Sequence, residues 1–482
     1  MADFEAIVKS EQNKLGRVLE SAQMYIDRDY LAYLSAGDAV AVPQGQSDFS
    51  QIRIIHLKKL VYNAEDIHNQ ILSVFHTLSG ISQTCFLLIC GDGSETNIYL
   101  GIYAPGGSTM AENALRFSID GNFPGTEYVS LNKVECMQVL QTMHGQNNTN
   151  NTSVVSVSQI PSMRGGVDGL NNFTQGIERF IDSMKGEKYT AIIVANPLSS
   201  ADAVSQRNSL ENIYSSLSSL GRLSYQYSEN QSVSEQRSLT TSVTDSITES
   251  ITAGYSYGTM QNSGTTKGGS PNIHAQFSKL GLGYGLQRGN FQSSGTQQGY
   301  QQQQGSARQK GVQTGQGVTQ GEINGQSSSL TITQINKSVE DLLERVDCQI
   351  KRIIEGETYG LWECCAYFAA PTLDIALVAA NVYKALSCGS NTGNTMSHMN
   401  SWDSQRPQDV SCILSSLANA RMPVFKLKSG HLCNAGLMIS GNELPMIMNF
   451  PRKSVCGVSV VKMAPFGRDV YYSSQMLSLI HI

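Results

Sequence analysis

Four basic residues near the C-terminal end, Arg452, Lys453, Lys462 and Arg468, concentrate positive charge over seventeen positions. Such a cluster can contact DNA phosphates or acidic groups of a neighbouring subunit, and the simpler alternative is a solvated basic rim. The whole chain adds nothing to that charge, because 34 Lys+Arg against 39 Asp+Glu leave a formal net charge of −5. Nucleotide chemistry has no counterpart in the sequence. A phosphate loop needs a glycine-rich turn followed by Lys and Ser/Thr, so that backbone N–H groups and an ammonium surround the phosphates, and no Gly-Lys dipeptide occurs. The glycine-rich Gly281 to Gly289 lies in polar sequence with no buried strand before it, and Gly91 to Glu95 reads as a hairpin turn.

Other reactive side chains point to structure rather than catalysis. His68 and His76 are eight residues apart on one expected helix, two turns removed from each other and too distant to share a metal ion. Glu340, Asp341, Glu344 and Asp347 form an acidic helix face beside Arg345 and Lys351, where local ion pairs are the default. Cys364 and Cys365 adjoin on a strand and must face opposite sides, which suits packing. The ten cysteines contain no C-x-x-C pair and read as reduced thiols, and the charged N-terminus lacks a secretory h-region, so a cytoplasmic protein is expected. No catalytic, cofactor-binding or metal-ligating residue is nominated.

The elements that position these residues predict a mixed α+β fold. A Ser/Gly-containing joint follows an amphipathic N-terminal helix within residues 1–35, and strands IRIIHL (Ile52 to Leu57) and KLVY (Lys59 to Tyr62) open a first α/β module over 51–144. Helix-period residues Ile67, Ile71, Phe75 and Leu78 precede two strands, Thr84 to Cys90 and Asn97 to Ala104, and helices follow near Met110 to Ile119 and Asn132 to Met143. A second module begins with the strand Ser153 to Ile160 over 153–230, with a further strand at Tyr189 to Ala195, and resumes over 335–430. Its second part carries the clearest helix, from Ser338 to Gly356, then the buried strand Leu361 to Ala370 and an apolar helix from Pro371 to Gly389. A short β-rich segment over 431–482 completes the layered arrangement.

Between the two parts of the second module, residues 231–330 are an insertion in which 65 of 100 residues are Ser, Thr, Gly, Gln or Asn. That composition cannot bury enough apolar surface to offset chain entropy, so a flexible low-complexity arm is expected. Leu239, Val243, Ile247 and Ile251 recur every four residues, and predict that the preceding helix continues into it as a thin amphipathic extension. Tyr99 to Gly121 and Glu363 to Gly389 share one order: strand, short turn, Ala-rich helix, closing glycine. Either the modules are duplicated or common elements coincide.

The segments Asn336 to Phe368, Asn400 to Trp402 and Ile439 to Val470, in that order, resemble a bacterial HerA/FtsK-like ATPase family, related to motor ATPases of conjugation and type IV secretion. The resemblance implies a hexameric, DNA-translocating P-loop motor beyond the last residue here, with ATP and Mg bound only in that motor. It also implies a partner of the membrane-associated or secretion type, and places the basic quartet near the junction with the motor. In such proteins a glycine-containing entry to the phosphate loop follows; here Leu477, Ser478 and Leu479 lead to Ile480, His481 and Ile482. A truncated reading frame is expected, with a chain that is inactive alone and serves assembly, partner docking or substrate loading. The alternative is a complete structural or interaction protein that displays the polar arm.

Overall fold

A computed structural model describes residues 16–41, 49–142, 152–161, 176–221, 245–250, 326–387 and 397–462, apart from 18, 64–66, 82, 106–107, 429 and 431. Two units are distinguished, residues 1–266 with 339–482, and residues 267–338. Of the second unit, only the helical segment 326–338 is described.

The fold is mixed α+β, as its sequence patterning predicts. Continuous apolar runs become central strands because both of their faces are covered. In β3 (Thr84–Asp92) and β7 (Lys188–Pro197), Phe86, Leu87, Leu88, Ile192, Ile193 and Val194 are all buried. Antiparallel β4 (Thr96–Tyr103) returns beside β3, and its Gly101 is required there. A Cβ at that position would lie 2.1 Å from the ring of Phe86. The residues IRIIHL and KLVY form one strand, β2 (Ile52–Tyr62), whose pairing shifts at a bulge between Leu57 and Lys59. The bulge absorbs the break in alternation that suggests two strands from sequence.

The helices after β4 follow local rules. α3 (Ser108–Asn122) packs on α2 (Ile67–Ser79), and α4 (Lys133–Gln141) begins at a capping box in which Asn132 and Glu135 satisfy each other's backbone N–H groups. Between them lies β5 (Glu127–Ser130), antiparallel to β2 and too short to stand out in the sequence.

The second module repeats the same path. Its elements are β6 (Ser153–Gln159), α5 (Glu178–Ser183), β7, β8 (Leu361–Ala370), α9 (Leu373–Ser387), β9 (Ser397–Trp402) and α10 (Pro407–Ala418). In the first half the strands lie in the order β5-β2-β4-β3, and in the second β9-β6-β8-β7, with each pairing antiparallel. The topological repeat extends the Tyr99 to Gly121 and Glu363 to Gly389 similarity to whole modules. The halves do not build separate cores. β3 pairs antiparallel with β7, Leu87 opposite Ile193, so one ten-stranded sheet runs through both.

An antiparallel seam between equivalent strands has its local twofold axis perpendicular to the sheet, which puts equivalent helices on the same face. The segment from Asn442 through α11 (Leu444–Ile447) to Phe450 fills the crease among them. His68 of α2 meets Asn442, Phe123 after α3 meets Phe450 edge-on at 5.5 Å, Ile177 N–H donates to Asn449, and Tyr383 of α9 donates to the Ile447 carbonyl. A three-stranded sheet of β1 (Asp38–Ala39), β10 (Val424–Lys426) and β11 (Leu432–Asn434) lies apart from the main sheet, and Phe425 of β10 stacks on Trp402 of β9 at 5.1 Å. Strand β12 (Leu437–Ser440) pairs with β8 and β13 (Ser459–Lys462) runs parallel to β2, consistent with the β-rich C-terminal segment.

The two halves differ at one hairpin. β3 and β4 join through a tight turn at Asp92, whereas β7 and β8 are joined through 163 residues. The last contact before the chain departs is Leu198 N–H to the Leu361 carbonyl, 2.8 Å.

Candidate functional site

The predicted basic quartet is divided by the structure. Arg452 is half-buried; its backbone N–H donates to Glu178 Oε2 at 3.1 Å, and its carbonyl accepts from Tyr62 Oη at 3.0 Å. Burial lowers the Arg452 pKa, opposed by the negative charge of Glu178. It therefore helps lock the turn after α11 onto β2 and α5. Lys453 and Lys462 are exposed, the latter on β13 opposite Tyr62. Arg468 lies outside the described residues, as do Gly281 to Gly289, Cys388 and most of the polar insertion.

The most elaborate polar construction is at the base of the excursion between β7 and β8. α6 (Ser200–Gly221) leads out, and α8 (Gln326–Tyr359) leads back. They pack with α1 (19–26) and α7 (245–250) around Leu19, Ala22, Ile26, Leu210, Ile213, Leu217, Ile247, Val339, Leu342, Val346 and Ile353, all buried and separate from the sheet's core cluster. Ile247 does not continue α6 as an extension. Ser216 Oγ donates to Ser246 Oγ at 3.0 Å, so α7 lies beside α6 with Ile247 buried, while Leu239, Val243 and Ile251 lie outside the described residues.

Polar contacts fix this bundle to the scaffold. Arg345 pairs with Asp27, which closes the turn after α1, and Tyr25 Oη donates to Gln206 Oε1. Arg207 of α6 bridges Glu357 of α8 at 2.7 Å. Arg352 Nε donates to both carboxylate oxygens of Glu443, at 3.0 and 2.8 Å, with both side chains about 15% exposed. Burial raises the Glu443 pKa, and Arg352 and the Ser440 N–H pull it back. Beside this pair Asn442 Nδ2 donates to Glu355 Oε1, while its Oδ1 lies 2.8 Å from His68 Nε2. His68 thus joins α2 to the base of α8, consistent with the histidine spacing that separates it from His76.

α8 also exceeds the helix expected from Ser338 to Gly356 at both ends: it begins at Gln326, so Ser338 is inside it and is not its cap. The helix continues to Tyr359 and stops at Gly360, whose φ of 89° gives the left-handed cap that glycine adopts most readily. Gly356 is inside the helix because Leu361 packs over it, with Cδ1 only 2.6 Å from where a Cβ would stand. The acidic face of α8 is modest in effect: Lys351 pairs with Asp347, and Arg345 turns to Asp27.

A second polar group, the half-buried Glu363, lies on β8. Glu363 accepts from Asn434 Nδ2 at 2.7 Å; burial raises its pKa, and the Arg28 charge and the Asn434 bond counter this. Arg28 donates to the Gly436 carbonyl from a left-handed backbone position. Cys365 is pushed up to about 12 by burial, so it is a packed thiol rather than a nucleophile. Among the described residues no group of three or more His, Cys, Asp or Glu is placed to hold a metal, and no helix is long and apolar enough to cross a membrane.

No family model, curated protein or solved structure matches this chain. The Arg352–Glu443 and Asn434–Glu363 contacts could not be read from sequence, because each joins residues far apart in the chain. The only sequence signal was the apolar stripe of α8, which implies that something covers it.

Proposed function

We propose that this chain is the non-motor N-terminal region of a DNA-translocating HerA/FtsK-like ATPase, acting in the cytoplasm in assembly, partner docking or substrate loading. The order of the segments from Asn336 to Val470 supports the family. The observation that supports docking is the placement of the long excursion: it leaves a duplicated sheet at the one hairpin where the other half has a tight turn, through a four-helix base tied down by Arg352, Arg345 and Arg207. In the full-length protein ATP and Mg belong to the motor, the oligomer is a hexamer, and DNA and a membrane-associated or secretion-type protein are the partners. Exposed Lys453 and Lys462 are the groups available to such a junction, with Arg468 the third candidate.

The same placement favours a second reading, a complete interaction protein built to display the arm. Sequencing the gene downstream of the codon for Met476 separates the two. A frame that continues into a strand, a G-x-x-x-x-G-K-[ST] loop and a helix supports the motor reading. A genuine stop after Ile482 leaves the interaction protein.

A further inference from the structure

The duplication leaves one edge of the main sheet differently finished from its equivalent. β9, at the outer edge of the second half, packs through its side chains against the 3-10 helix Asp29–Ala36: Asn400 Nδ2 donates to the Leu31 carbonyl and Oδ1 accepts from the Ser35 N–H. Its equivalent β5 has no such cover among the described residues, and Glu127, Val129 and Ser130 are exposed.

The register states which backbone groups face outward. Leu131 N–H donates to the Ile54 carbonyl, so Ile54 and Leu131 belong to the hydrogen-bonded series, which next includes His56 and Val129. Tyr128 and Ser130 stand opposite Leu57 and Ile55 in the alternate series and turn their N–H and C=O groups away from β2.

From this edge we propose that β5 is a homodimer interface, pairing antiparallel with β5 of a second copy about a twofold axis at Val129. Tyr128 of each copy then exchanges two backbone hydrogen bonds with Ser130 of the other. Val129 faces its counterpart in the close, non-hydrogen-bonded position, where β-branched pairs pack well. No like charges are opposed, since Glu127 falls opposite Leu131 and is already held by Lys59 at 2.7 Å. Tyr128 is held toward α3, its Oη donating to Asp120 Oδ1 beside Arg116, which leaves the exposed Val129 side chain on the opposite face at the axis.

A second copy suits this edge better than an unrelated extended peptide. Four residues give a peptide few bonds, whereas a second copy also brings its own exposed Val129 to the axis. The halves within one chain already join in the same manner, antiparallel and edge to edge across β3 and β7. A pairing about a twofold axis uses the same edge in both copies, so this edge pairing stops at two copies. The interface does not rest on the motor reading and stands or falls independently of the downstream gene sequence.

Light scattering on the full chain, with two variants and a cross-link, tests the interface. The wild-type chain is expected at twice its 52.3 kDa mass. Ser130→Pro removes an outward N–H without touching the bonds to β2, and Val129→Lys opposes two charges at the axis; both are expected at the single-chain mass with an unchanged circular dichroism spectrum. Val129→Cys places two thiols in the close cross-strand position and is expected to form an intermolecular disulfide on mild oxidation that the wild-type chain does not form. A monomeric wild-type chain at high micromolar concentration overturns the proposal. So does a dimer that persists in both variants and fails to cross-link through Cys at 129, since it would use another surface.

Discussion

Individual residues make the sheet and its turns specific. Gly101 is the tightest case: its missing Cβ is the space occupied by the Phe86 ring on the neighbouring strand. Gly101→Ala forces ring and strand apart, and overpacking of this kind costs about 1–3 kcal/mol, seen as a lower denaturation midpoint with an unchanged denaturant slope. A midpoint equal to wild type would show that Phe86 has room to move. Asp92, at the hairpin between β3 and β4, accepts from the N–H groups of Glu95 and Ser94 and from the Ser94 hydroxyl. These bonds lower its pKa to about 2 from the ordinary 3.8. Because the folded pKa is depressed, its stabilising contribution is complete above the unfolded value and fades as pH falls from 3.8 towards about 2. Carboxyl NMR should show Asp92 titrating near the lower end of that window, and titration at an ordinary aspartate value would remove the turn's role.

At the scale of elements, α8 ties the base of the excursion to the scaffold. Its apolar stripe packs on α1, α6 and α7, and its polar contacts reach the loop before α11. Arg352→Ala leaves Glu443 buried without its cation, and loss of one partner of a buried pair costs about 3–5 kcal/mol. Arg352→Ala with Glu443→Gln should recover much of that loss, as judged by chemical denaturation. Equal destabilisation by the single and double variants would show that Arg352 acts through packing instead. Elements with long apolar runs or clear helix periods were legible in the sequence. β5 and β9 were not, because four or six residues with exposed or polar side chains become strands only when β2 and β6 offer hydrogen bonds.

For the whole molecule, the topological repeat makes a strong prediction. If β7 and β8 are the counterparts of β3 and β4, the excursion is an insertion into a hairpin rather than part of the sheet's architecture. A chain that begins at Arg28, with residues 199–359 replaced by Gly-Asp-Gly-Ser-Glu from the first hairpin, should still unfold cooperatively and keep the strand signature of the main sheet in circular dichroism. Non-cooperative unfolding would mean that the helical base completes the core instead of resting on it. Leu361 and Trp362, buried where the excursion rejoins, are the residues most exposed to that risk.

Patterns that depend on near neighbours were settled by the sequence alone: the apolar runs of β3, β7 and β8, the stripe of α8, and the polar composition of residues 231–330. So was the likeness of the Tyr99 and Glu363 segments. Tertiary structure decided what joins distant residues: the fusion of two modules into one sheet across β3 and β7, the bond from the Arg452 backbone N–H to Glu178, the lodging of α11 between four helices, and the exposed edge at β5. Periodicity records which side of an element is buried, but not what buries it, since pairing and packing partners here lie up to several hundred residues away.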